Sequence, residues 1–376
     1  MNTFRNILLG TAAAGLTAMA MSPANAAATT KTFKVSGWVN RVAMFTDDGD
    51  QTYVSFVDSK LAGSRFRMIG ESKGGGMTVG ARIELGLKRN QDVGQGNNKS
   101  NTTANGLLHR NAFVYFASKK YGKLALGLQS TATDGTAEID ISGTKVASYN
   151  TNVFPNNSFY FLQTGQSGGD AGDVTSATGN NPKVGSVFTG FDGDSRQDAI
   201  RYTTPSFAGF KVDVSTSQGG DAQAALKYSG KFYNTKVAAA VGFSNQSSTS
   251  GSGSKNGSYV GTVSALHASG LNATFSYGEQ DNRAVGRNNA SNVFGKIGYQ
   301  LKVFGVGKTA LSVSYQRTDD LNANNDEAKK WGVEAVQKLD GYSTELYAVY
   351  TNMSLDRPGT TFQDISASWL GARVKF

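Results

Sequence analysis

The chain of 376 residues contains no cysteine, so disulfides, thiolate metal sites and cysteine nucleophiles are all excluded. Histidine is scarce: His109 and His267 stand far apart, neither within a carboxylate-rich motif, and read as strand-end residues rather than as ligands or a base. Proline occurs 5 times against 46 glycines, and aromatics make up 10%. That balance suits a large antiparallel sheet with tight turns. No nucleophile elbow, phosphate loop or zinc motif is present. Beyond residue 26 there is no long apolar run, and mean hydropathy is −0.33. Such values describe a soluble chain, unless the chain is a barrel in which only every second residue meets lipid.

The N-terminus reads as a leader. Arg5 is the lone charge, Ile7 to Met21 is mostly apolar, and Ala24-Asn25-Ala26 fits a small-x-small cleavage site. Residues 1–26 are therefore expected to direct export and to be removed after Ala26, leaving 27–376 as one mature domain. The apolar run is too short for a spanning helix. Net charge is +9, and removing the one arginine of the leader leaves +8. The basic residues are spread along the chain, which argues against nucleic acid as a partner.

Hydrophobicity has a period of two almost throughout. From Met77 to Lys88, the residues Met77, Val79, Ala81, Ile83, Leu85 and Leu87 share one face, and Thr78, Gly80, Arg82, Glu84, Gly86 and Lys88 share the other. About ten residues in a tilted strand cross an outer membrane. Sixteen such strands are expected. The first half lies near Phe33–Phe45, Arg65–Ser72, Met77–Lys88, Leu108–Ser118, Lys123–Gln129, Asp198–Thr204, Phe210–Thr216 and Gln223–Ser229. The second half lies near Lys236–Ser244, Tyr259–His267, Leu271–Gly278, Val293–Lys302, Thr309–Gln316, Lys330–Leu339, Thr344–Asn352 and Phe362–Phe376. An even number lets both chain ends face the periplasm.

Connections alternate in length. Gly74–Gly76, Lys119–Gly122, Pro205–Gly209, Gly230–Thr235, Ser269-Gly270 and Asp340-Gly341 are tight. Thr46–Ser64, Arg89–Leu107, Asn245–Ser258, Glu279–Asn292 and Arg317–Lys329 are long and rich in Asn, Ser, Gly and Asp. Short periplasmic turns and longer extracellular loops sort in this way, whereas a soluble sandwich has no reason to. The connection from Gln129 to Asp198 stands apart at roughly seventy residues, which marks it as functional or irregular. It carries an acidic stretch from Asp134 to Asp140 and an aromatic-rich piece from Tyr149 to Leu162, in which Phe159 to Leu162 is a candidate extra hairpin. The run Asp47-Asp48-Gly49-Asp50 lacks EF-hand spacing and a closing Glu, so no metal site is assigned to it.

The final strand alternates Leu370, Ala372, Val374 and Phe376 with Gly371, Arg373 and Lys375 and stops on the aromatic. Exposed in water, such an end is an aggregation hazard; between lipid and an aqueous lumen it is in place. This end resembles the terminal strand of Gram-negative porins. His109 to Val114 followed by Tyr121 to Gln129 resembles the hairpin before their third loop, with Leu128 where many members carry Arg. Asp198 to Phe210 resembles the hairpin after it. Together these stretches resemble the alphaproteobacterial general diffusion porins over most of the mature chain. The resemblance implies an all-β, sixteen-stranded transmembrane barrel in the outer membrane, a homotrimer, and a long third extracellular loop folded inward as a constriction. It also implies that the assembly machinery reads Phe376.

Candidate lumen charges follow from face and position. Arg65 and Arg67 share one face of the second strand, and Arg82, Arg110 and Arg201 come from the third, fourth and sixth. With neighbouring strands about 4.8 Å apart, those on strands two to four can form one basic wall. If the long loop folds inward, Asp134, Glu138 and Asp140 offer carboxylates opposite, and such opposed charge orients polar solutes. The expected function is passive diffusion of small hydrophilic solutes and ions with a weak anion preference, without a cofactor. The expected partners are outer-membrane lipid and lipopolysaccharide. A solute-specific channel, kept open by the aromatics between Tyr149 and Phe161, and a barrel-borne enzyme are the alternatives. Two unpartnered histidines argue against the enzyme.

Overall fold

The computed structural model describes residues 29–88, 106–151, 156–167, 181–193, 195–245, 257–282 and 284–376. The leader at 1–26 and the central parts of the connections Arg89–Leu107 and Asn245–Ser258 lie outside the described residues.

Eighteen strands occur among the described residues. The first nine are β1 (Thr30–Asp47), β2 (Thr52–Asp58), β3 (Arg65–Gly74), β4 (Met77–Lys88), β5 (Gly106–Ser118), β6 (Gly122–Ser130), β7 (Arg196–Thr203), β8 (Phe210–Ser217) and β9 (Ala222–Phe232). The others are β10 (Thr235–Asn245), β11 (Gly257–His267), β12 (Leu271–Asp281), β13 (Ala290–Leu301), β14 (Thr309–Asp319), β15 (Glu327–Leu339), β16 (Thr344–Arg357), β17 (Thr360–Thr361) and β18 (Ile365–Lys375). All pairings are antiparallel. β1 pairs with β3 through Thr30–Trp38 and with β18 through Trp38–Asp47, and β18 pairs with β16. Sixteen staves, β1, β3 to β16 and β18, therefore close on one another, and no stave edge is left unpaired.

All sixteen expected strands are staves, with ends displaced by a few residues. β2 and β17 were not expected. Thr52–Asp58 places Val54 beside Tyr53 and Val57 beside Phe56, so its alternation is blurred in sequence, yet it lies along β1 from Arg41 to Asp47. The hairpin expected at Phe159–Leu162 does not form. Tyr160 bridges to Lys183 and Gln163 to Phe362, because the apolar side chains of this piece are drawn into a core instead of pairing locally.

The period of two explains the wall. On β4, Val79, Ile83 and Leu87 are exposed on the outer face while Glu84 is buried on the inner one. The same split recurs on β12, where Leu271, Phe275 and Tyr277 face out and Asn272, Thr274 and Ser276 are buried inside. At the tight end, Gly75 and Gly76 form the two-residue link of β3 and β4 with φ of +57° and +75°, a turn that favours glycine at both positions. The C-terminus is sewn to the first stave. The amide of Gly37 donates to the Phe376 carbonyl at 2.9 Å, and that of Phe376 donates back at 3.1 Å. A Cβ on Gly37 would stand 2.8 Å from the Phe376 ring, so the glycine makes room for the terminal aromatic.

An apolar core lies on the inner side, beneath the long connection. Phe159, Phe161, Val184, Val187 and Phe188 from that connection pack with Val42, Met44, Val57, Met353, Ile365 and Trp369. Each large side chain buried here contributes about 1.5–3 kcal/mol. Asn156 pins the piece by donating to Thr46 Oγ1 at 2.8 Å and accepting from Trp369 Nε1 at 3.0 Å.

Candidate functional site

Four of the five expected basic residues converge on one acid. Glu84, 1% exposed, sits among four guanidiniums: Arg82 at 2.5 Å, Arg110 at 2.9 Å, Arg67 at 3.2 Å and Arg65 at 3.4 Å. Arg65 and Arg67 share the inward face of β3, and Arg82 shares that of β4 with Glu84. Arg110 arrives differently. Inward residues of β5 pair as Phe113 with Arg82 and Asn111 with Glu84, so strict alternation sends residue 110 outward. The register then shifts, Leu85 pairs with His109, and Arg110 is the extra residue of a β-bulge. The bulge re-aims its side chain to Glu84. Trp38 lies beneath, its ring centre 4.4 Å from the Arg65 guanidinium carbon and 5.6 Å from that of Arg67, a cation–π arrangement.

Four guanidiniums against one carboxylate leave an excess of three positive charges. Glu84 accounts for the close approach of the arginines, which would otherwise repel one another. Arg201 belongs to the next group along the wall. It contacts Asp213 at 2.9 Å, which Lys227 also contacts at 3.1 Å. Arg65, Arg82, Lys123, Arg196 and Arg201 together line a hollow of about 230 Å³, so Arg201 does join the basic wall. Glu84, Lys123, Arg196 and Asp213 were not singled out from sequence. Glu84, Lys123 and Asp213 carried a signal, since each shares the inward parity of a residue that was; Arg196, at the first position of β7, is of opposite parity to Arg201 and reaches the hollow from the strand end.

The loop acids disperse. Asp134 faces Arg196 at 3.7 Å. Glu138 lies 3.6 Å from Lys145, on its own loop. Asp140 does not meet the arginines at all. It is enclosed with Lys296 of β13 at 2.8 Å, with both side chains shielded from solvent. Lys296 donates further to Thr144 Oγ1 at 3.2 Å and to the Ser148 carbonyl at 2.5 Å. Burial works against the Asp140 carboxylate, but the Lys296 ammonium outweighs it and holds the pKa below the usual range. A fourth acid, Asp192, went unnoticed in sequence. It accepts the amides of Gly135 at 2.7 Å and Ala137 at 2.6 Å and so ties the two ends of the connection together. Burial, with Glu138 and Asp134 nearby, pushes its carboxyl well above the usual range.

The rest of the connection lies along the inner wall of hydroxyl-bearing staves. Ile141 donates to Ser264 at 3.1 Å, Thr144 bonds Ser312 at 2.8 Å, Asn150 donates to Ser276 at 2.8 Å, and Gln316 donates to the Thr189 carbonyl at 3.0 Å. Of the aromatics described between Tyr149 and Phe161, Tyr149, Phe159 and Phe161 are buried and Tyr160 is half-buried; Phe154 lies outside the described residues. The Asp47–Asp50 run is a closed turn, in which Asp47 accepts the Gly49 amide and Asp48 those of Asp50 and Gln51. His267 lies 2.8 Å from Ser269 in a tight turn, and His109 shares the outward parity of its partner Leu85.

A family model described as Gram-negative porin matches residues 11–358. No curated protein sequence matches the chain. Among solved structures, the anion-selective porin from Comamonas acidovorans is 17% identical, with a TM-score of 0.62 over 92% of this chain and all of its own. The trimer form of OmpT, an outer membrane protein of Vibrio cholerae, is 14% identical at 0.56, over 92% of this chain and 100% of its own. OmpF of Salmonella typhi, in complex with daunomycin, is 15% identical at 0.55, over 92% of this chain and 97% of its own.

Proposed function

This chain belongs to the Gram-negative porin family and forms an outer-membrane channel, and we propose that it passes small hydrophilic solutes and ions by passive diffusion with a weak preference for anions. The observation that carries the preference is the wall around Glu84, where four arginines outnumber their one carboxylate and the excess charge faces the lumen. Rings and patches of charge at a narrow point set ion preference, whereas exposed charges beyond about 8–10 Å are screened at physiological salt. Asp134 and Glu138 pull the other way, which keeps the preference weak. Planar-bilayer recordings in a salt gradient test this reading: the zero-current potential takes the sign of anion flow, and conductance scales with salt. A potential of cation sign overturns the anion preference. Conductance that saturates with one solute favours a solute-specific channel, a reading weakened by the burial of Tyr149, Phe159 and Phe161.

The same reading covers assembly. Residues 1–26 are removed after Ala26, and the mature domain forms a homotrimer in outer-membrane lipid and lipopolysaccharide, as the trimer form of the Vibrio relative suggests. The barrel-assembly machinery reads the last strand through Phe376, an exposed residue directly after β18. Normal outer-membrane levels of a chain lacking Phe376 would count against that role. No enzymatic role is assigned, since neither histidine forms part of an acid–base pair among the described residues.

A further inference from the structure

At the tight-turn end of the barrel, lysines face lysines. Lys211 of β8 pairs directly with Lys227 of β9, and Lys231 of β9 with Lys236 of β10. Lys308 and Lys338 follow the Thr309–Gln337 pair of β14 and β15, with the Lys338 amide donating to the Lys308 carbonyl at 2.9 Å. Like charges directly opposite one another destabilise a sheet. Three such pairs at one mouth therefore need a compensating charge. Lys227 has one in Asp213 at 3.1 Å. Among the described residues, the other five make no ion pair.

Parity places these lysines on the lumen side. Lys211 shares the face of buried Asp213 and Ser215, and Lys231 that of buried Gln223. Lys236 shares the face of buried Ser244, Lys308 that of Ser312 and Lys338 that of Glu334. Two hollows open between the turns. One, of about 530 Å³, is lined by Lys231, Lys236, Lys302 and Lys308 and by no carboxylate. The other, of about 1210 Å³, is lined by Lys73, Lys120, Lys123 and Lys211, again without a carboxylate. Lys123 also lines the hollow beside Glu84 and so links the two, although Glu71, 2.8 Å from Lys73, lies on the same face between them.

We propose that this mouth binds multivalent oxyanions, solutes with two or more negative charges such as phosphate esters, by bridging opposed lysines. Cross-strand neighbours stand about 4.5–5.5 Å apart at Cβ. Two flexible ammonium groups at that spacing can close on one phosphoryl group, while a monovalent ion has only one charge to share between them. The tight turns face the periplasm in such barrels, so the mouth holds the anion at the exit side of the channel. The proposal rests on the channel reading, because a lumen site matters to transport only if the lumen conducts.

Two measurements on the full mature chain separate the claims. Calorimetry in detergent with sodium pyrophosphate reads binding without requiring conduction. Planar-bilayer recordings read whether pyrophosphate on the tight-turn side blocks chloride current. We expect saturable binding, a matching block, and weakening of both by about tenfold in the Lys231→Gln/Lys236→Gln/Lys308→Gln variant, with chloride conductance in the absence of pyrophosphate retained. The Lys231→Arg/Lys236→Arg variant keeps binding, since charge rather than shape carries it, and heat-modifiable gel mobility confirms that each variant is folded. Unchanged binding in the Gln variant, or equal binding of monovalent acetate, overturns the proposal. Intact binding without any conductance overturns the channel reading alone.

Discussion

Two arcs of the inner wall treat the long connection in opposite ways. Along β11 to β14 the inward side chains include Ser264, Thr274, Ser276, Ser312 and Ser314, all buried beneath the connection. Along β3 to β7 they include Arg65, Arg67, Arg82, Arg110 and Arg201, which line a hollow or stay partly exposed. The difference is one of desolvation. A hydroxyl can leave water if one hydrogen bond replaces the one it lost, and the connection supplies these at Thr144 and Asn150. Four guanidiniums around one carboxylate cannot be covered without stranding charge. The connection therefore settles on the hydroxyl arc and leaves the arginine arc to solvent. One cation in the covered arc, Lys296, lies where the connection brings Asp140.

The sharpest way to break this contrast is at that pair. Replacing Lys296 with Met leaves Asp140 buried without a counter-charge, at a cost of about 3–5 kcal/mol. The connection should then lift from the hydroxyl arc, seen as faster protease cleavage between residues 131 and 193 in a barrel that still runs as folded. Adding Asp140→Leu should restore most of the resistance, because an apolar pair needs no partner. Unchanged cleavage in the single variant would show that the hydroxyl contacts hold the connection alone.

That pair also marks what could be read in advance. The sixteen staves were legible because a period of two is written residue by residue, and the sorting of loop lengths told the tight-turn end from the long-loop end. Arg65, Arg67 and Arg82 were legible through parity. Arg110 was selected from sequence although simple alternation points it outward; the bulge that returns it depends on a register shift opposite Leu85, which no local pattern encodes. Asp140 and Lys296 are 156 residues apart, and their meeting depends on the path of an irregular segment. The aromatics from Tyr149 to Phe161 read as a possible solute surface because sequence gives their polarity but not which side of the loop meets the wall.

A second test acts on the open arc. Arg67→Asp with Arg82→Asp replaces two of the four guanidiniums around Glu84 with carboxylates. We expect the permeability ratio to move toward cations on the order of tenfold, read as a displaced zero-current potential in a salt gradient. The covered arc should not notice, so protease resistance of the connection stays as in the parent. A potential that does not move would remove these arginines from the conducting path.

The smallest effect belongs to the stem of the connection, where both arcs meet. Asp192 accepts the Gly135 and Ala137 amides, while burial and the neighbouring Glu138 and Asp134 raise its pKa. A carboxyl raised in the folded state contributes stability that is full below its unfolded value of about 3.9 and is lost as pH rises through the folded value. The stem should thus loosen from acid toward alkaline pH. Hydrogen exchange at the Gly135 and Ala137 amides, corrected for intrinsic rates, reads that loosening directly. Glu138→Gln removes one of the repelling charges and should flatten the dependence, while Arg196 remains beside Asp134 in both proteins. If protection instead grows with pH, the two amides outweigh burial and repulsion, Asp192 is anchored as a carboxylate, and the stem is held by the same charge matching that Lys296 provides farther along the wall.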